Sequence, residues 1–71
     1  KPMADDYLIQ SVYEGIREAA EGMDCDAIDE ILAELDEYAV PESEREKVGA
    51  IRLKAENFDY DGILQVLDSF A

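Results

Sequence analysis

The sequence predicts an all-α domain of four antiparallel helices, arranged as two repeat-like helical hairpins. Three observations predict it. Apolar residues recur at i, i+3, i+4 spacing in four successive stretches, and no stretch alternates with period two. The chain has four Gly and two Pro, and Pro41 alone is a strong stop. An Asp stands at the start of two of the stretches, where a carboxylate satisfies free backbone N–H groups.

The first helix is expected from about Ala4 to Glu21, with Leu8, Ile9, Val12, Tyr13, Ile16, Ala19 and Ala20 on its buried stripe. Asp5 and Asp6 fall in its first turn, where they suit the helix dipole, and Gly22 ends it. The second runs from Asp24, its N-cap, to about Tyr38, burying Ile28, Ile31, Leu32, Leu35 and Tyr38. Val40 precedes Pro41 and is held out of helical backbone. The third runs from Ser43 to about Asn57, with Ser43-Glu44-Arg45-Glu46 as a capping box and Val48, Ile51, Ala55 and Phe58 as its stripe. Leu53 lies off that stripe and is expected to meet a neighbouring helix. The fourth runs from Asp59 to the end, with Tyr60, Ile63, Leu64, Leu67 and Phe70 inward. The connections within each pair are too short for anything but antiparallel hairpins. The 71 residues thus read as one domain, hairpin 4–39 and hairpin 42–71, cut from a larger protein.

The hairpins look like copies. Shifted by 35 positions, Arg17, Ala20, Glu21, Asp24, Asp26, Ile28 and Leu32 fall on Arg52, Ala55, Glu56, Asp59, Asp61, Ile63 and Leu67, each pair identical. Met23 falls on Phe58, and in both the apolar residue before the capping Asp is placed to staple onto the new helix. A helix-turn-helix period of this length resembles a tetratricopeptide repeat, and Asn57-Phe58-Asp59-Tyr60-Asp61-Gly62-Ile63 is similar to that family's turn. The chain departs from the family in lacking the Trp-Leu-Gly start, and two units fall short of the three a solenoid needs.

Composition excludes several functions. Nineteen acids against six bases give a net charge of -13, which repels nucleic-acid phosphates. No His is present, so there is no imidazole base, no Ser-His or Cys-His pair and no histidine phosphoacceptor. One Cys makes neither an internal disulfide nor a thiolate zinc site. An unpaired Cys25 fits a reducing compartment, hence the cytoplasm, and reads as a small residue near a helix start rather than a redox switch. No apolar run is long enough for a membrane span.

The carboxylates offer false leads. Asp24-x-Asp26 and Asp59-x-Asp61 have the 1,3 spacing of a helix-loop-helix calcium loop, but Ile28 or Ile63 stands at position five and Leu35 or Phe70 at position twelve. An acyl carrier needs Asp-Ser-Leu opening its second helix, and this chain has only Asp68-Ser69-Phe70 at its end. No metal, cofactor or catalytic residue is assigned.

The segment from about Glu14 to Leu67 resembles a helical segment near the end of large bacterial hybrid sensor histidine kinases and related two-component signalling proteins. The acidic helix ending in LDEYAVPE and the closing ENFDYDGILQVL carry the likeness. It implies a non-enzymatic accessory or protein-interaction module in a cytoplasmic signalling protein. A free-standing adaptor or homodimerisation unit is the alternative, and an acidic nucleic-acid mimic a third. The partner would be a protein or a neighbouring domain. The densest surface signal is the acidic second helix, where Asp29, Glu30, Glu34 and Glu37 are the candidate partner-binding residues. Solvated pairing with Arg45, Lys47, Arg52 and Lys54 of the third helix explains the same charges more blandly.

Overall fold

The computed structural model describes residues 1–69. Four helices follow in order: α1 (Asp6–Glu21), α2 (Cys25–Leu35), α3 (Glu42–Glu56) and α4 (Tyr60–Ser69). α1 packs on α2 and α3 on α4, giving the two hairpins, and α1·α4 and α2·α3 contacts close them into a ring. No strand is present among the described residues. The inward position of Phe70 lies outside them.

Each expected stripe supplies the core. Ile9, Val12, Tyr13, Ile16, Ala19 and Ala20 are buried from α1, Ile28, Leu32 and Leu35 from α2, Val48 and Ile51 from α3, and Ile63 and Leu67 from α4. Ile51 and Ile63 are fully enclosed. Burying one such side chain stabilises the fold by roughly 1.5–3 kcal/mol. Between the hairpins, the buried Tyr13 hydroxyl donates to Glu44 Oε1 at 2.7 Å, and Lys47 Nζ lies 4.2 Å from the Tyr13 ring centroid.

The duplication extends to the hydrogen bonds of the turns. Met23 N–H donates to Ala20 O at 3.1 Å, and Phe58 N–H to Ala55 O at 3.1 Å. Asp24 N–H donates to Ala19 O and Asp59 N–H to Lys54 O, each at 2.9 Å. Asp24 Oδ1 accepts from Ala27 N–H at 3.1 Å, and Asp59 Oδ1 from Gly62 N–H at 2.8 Å. The shift is 35 residues in every case.

Several boundaries differ from expectation. Asp5 is the N-cap of α1, accepting from Leu8 N–H at 2.8 Å, rather than a first-turn residue. α2 stops at Leu35, not Tyr38. Glu37 and Tyr38 donate to Glu34 O and Leu35 O in tight turns, and the chain then extends. Ala39 N–H donates to Pro2 O at 2.8 Å, and Ala4 N–H to Ala39 O at 2.9 Å. This isolated parallel bridge straps the N-terminal segment to the inter-hairpin connection and buries Ala4. The Ser43 capping box does not form. Pro41 is the N-cap of α3, its carbonyl accepting from Glu44 N–H at 2.9 Å, so Ser43 already sits inside the helix.

Met23 and Phe58 do not staple. Both have left-handed backbone, with φ of 52° and 54°. That conformation reverses the chain and turns the side chains outward, leaving them 72% and 64% exposed. Leu53, expected against a neighbouring helix, is 58% exposed.

Candidate functional site

The ring of four helices is not evenly sealed. Of the four packed pairs, α2 and α3 are the most loosely joined, and a groove of about 360 Å³ lies between them. One wall is Asp29, Leu32 and Ala33 of α2 with its C-cap Asp36, the i, i+3, i+4, i+7 face. Arg52, Ala55, Glu56 and Phe58 supply the opposite wall. Leu32 is buried, and the small side chains of Ala33 and Ala55 leave room above it. Arg52 Nη2 donates to Asp36 Oδ1 at 2.5 Å and ties one end. Because the helices are antiparallel, Asp29, Glu56 and the exposed Phe58 lie toward the other end.

The internal repeat explains why this seam stays open. Its counterpart is the α1–α4 seam, where Arg17 Nη2 donates to Asp68 Oδ1 at 2.7 Å. Under the 35-residue shift Arg52 matches Arg17, Ala55 matches Ala20, and Leu32 matches Leu67. The position of Asp29, however, is taken in α4 by Leu64. Leu64 is half-buried against the core, whereas Asp29 is exposed. A carboxylate left without a partner in a seam would carry a large desolvation cost, so Asp29 stays in water and the helices stay apart.

The four acids singled out from the sequence do not all border the same surface feature. All are exposed. Asp29 lines the α2–α3 groove. Glu34 and Glu37 border a separate cleft of about 280 Å³ with Leu8, Val12, Leu35 and Tyr38, on the α1 side of α2. Glu30 lines neither. Sequence reasoning missed Phe58, Ala33, Ala55 and Glu56 as surface features. Spacing puts Phe58 on the stripe, but α3 ends at Glu56 and left-handed backbone turns Phe58 out.

Two tyrosines are electrostatically distinctive. Burial, then the Glu44 hydrogen bond and charge, push the Tyr13 hydroxyl well above its ordinary range. Tyr60 and Cys25 occupy equivalent first positions of α4 and α2. Desolvation, Cys25 and the nearby Asp24 and Asp26 push Tyr60 upward as well. Among the described residues no polar or charged residue is buried, and no cluster of Cys, Asp and Glu is arranged to hold a metal ion. No helix among them is long and apolar enough to cross a membrane. The groove can seat an apolar side chain on Leu32, Ala33, Ala55 and Phe58 while Asp29 and Glu56 accept from a cation.

The chain matches no family model, no curated protein and no solved structure.

Proposed function

We propose that this chain is a non-enzymatic protein-interaction module of a cytoplasmic two-component signalling protein, docking on a partner or on a neighbouring domain. The observation that carries the docking reading is the unsealed α2–α3 seam, with Phe58 exposed at its edge. An exposed aromatic beside a groove is the form that binding anchors take. The signalling context rests on the resemblance of residues 14–67 to segments of sensor kinases, and the tetratricopeptide-like turns fit a docking role.

Self-association is the weaker use of this surface. Two copies each carrying -13 repel one another, most strongly at low salt. The test is titration of the isotope-labelled chain with receiver and phosphotransfer domains, followed by amide chemical shifts. Shifts centred on the α2–α3 seam are expected with at least one of them. Silence with both classes removes the signalling assignment. Light scattering should give the monomer mass, and a stable dimer would shift the reading to a dimerisation unit.

A further inference from the structure

We infer that the α2–α3 groove receives a basic amphipathic helix of a partner protein. The inference rests on the docking reading above and names what docks. Three observations select this occupant. The groove is bounded by two antiparallel helices, and one wall runs from Asp29 to Asp36, which is about 10 Å at 1.5 Å per residue. That length suits about two turns of a third helix laid in the groove, with apolar anchors at i and i+3 or i+4.

The chemistry of the walls is divided in the matching way. Leu32, Ala33, Ala55 and Phe58 offer an apolar contact, and Asp29 and Glu56 stand beside it. α2 carries no basic residue from Cys25 to Leu35 to oppose them. The base in the groove, Arg52, is engaged by Asp36. A cationic helix therefore meets acids on both sides of its anchor, which speeds encounter and fixes its orientation. The same field disfavours a second copy of this chain and any nucleic acid.

Phe58 gives the third observation. It holds left-handed backbone at φ 54° with its ring exposed, at a turn position where glycine carries no steric penalty. Phe58→Gly thus removes the proposed anchor while relieving the backbone, so loss of binding is separable from loss of fold.

The probe is a synthetic peptide of about 18 residues, roughly five turns, with Leu at i, i+3, i+4 and i+7 and Lys elsewhere. One control has the same residues permuted so that Leu is spread around the helix. Another has Glu in place of Lys. Each is titrated into the labelled chain at about 0.15 M salt. The amphipathic basic peptide is expected to shift the amides of Leu32, Ala33, Ala55 and Phe58. The permuted peptide, Phe58→Gly and Asp29→Lys should each weaken binding about tenfold or more. Circular dichroism checks that both variants fold. Equal affinity for the permuted peptide overturns the inference, since charge alone would then suffice. Shifts centred on Glu34 and Glu37, or spread over every acidic face, also overturn it. Should receiver or phosphotransfer domains bind elsewhere while the peptide fails here, docking stands and this inference falls. A peptide seated in the groove, with both domain classes silent, leaves the inference standing and removes the signalling context.

Discussion

Replacing Tyr13 by Phe should destabilise the fold at neutral pH and cease to do so in alkali. Tyr13 is 5% exposed, and its hydroxyl donates to Glu44 Oε1 at 2.7 Å. Hydrogen bonds to charged acceptors contribute roughly 1.5–3 kcal/mol. Glu44 is only half-buried and can recover water, which places Tyr13→Phe near the lower end, about 1.5 kcal/mol at pH 7. The ring and its Lys47 contact survive the change. The hydroxyl's folded pKa lies above its ordinary value of 10.0. Its contribution is therefore complete below pH 10 and lost as pH rises from there toward the folded value. One unit above the unfolded pKa, that loss is about 1.4 kcal/mol. Phe has no such group to ionise. The stability gap between the two proteins should thus shrink from about 1.5 kcal/mol at pH 7 to near zero at about pH 11. Urea unfolding followed by circular dichroism measures both gaps. A gap that stays constant across this range would refute the assignment of the coupling to the Tyr13 hydroxyl.

Three further outcomes follow from named contacts. Gly49 sits exposed in the middle of α3, and a Cβ there would meet nothing, so Gly49→Ala should stabilise by about 0.5–1 kcal/mol. An unchanged urea midpoint would contradict this. Asp24→Ala and Asp59→Ala should each cost about 1 kcal/mol, because each removes the cap of an equivalent turn. Widely different losses would show that the turns are matched in shape and not in energy. Asp29→Leu restores the residue type of the sealed seam and should raise stability by about 1 kcal/mol through new apolar burial. A thermal melt with lower midpoint would mean that Asp29 does not hold the seam open.

Periodicity made the interior legible, because burial in a helical bundle follows the helix repeat and little else. Ile9, Ile16, Ile28, Ile51 and Ile63 are all enclosed where their spacing puts them. The ends of elements were harder to read. The series Val48, Ile51, Ala55, Phe58 continues past Glu56, but the helix does not, so Phe58 leaves the stripe with the backbone. At Ser43 a correct local motif lost to Pro41, whose fixed φ already starts the helix two residues earlier. The strap of residues 2–4 on Ala39 carries no local signal, since its partners are distant in sequence and its atoms are backbone. The groove lay between these cases. Asp29, its key wall residue, was singled out for charge, while its meaning came from the helix it faces and from comparison with Leu64 in the other repeat.

The two matched turns also set an order of events as the chain folds. Their hydrogen bonds join residues three to five apart, such as Met23 to Ala20 and Asp59 to Lys54, so little chain has to be ordered before they form. The strap must bring Pro2 and Ala4 to Ala39, and it can close only when a hairpin already exists. Each hairpin then serves as its own nucleus, and the strap acts as a late latch. In kinetic terms, Asp24→Ala should slow folding, whereas deletion of residues 1–3 should leave folding speed unchanged and quicken unfolding. Stopped-flow traces in which the deletion slows folding would reverse that order.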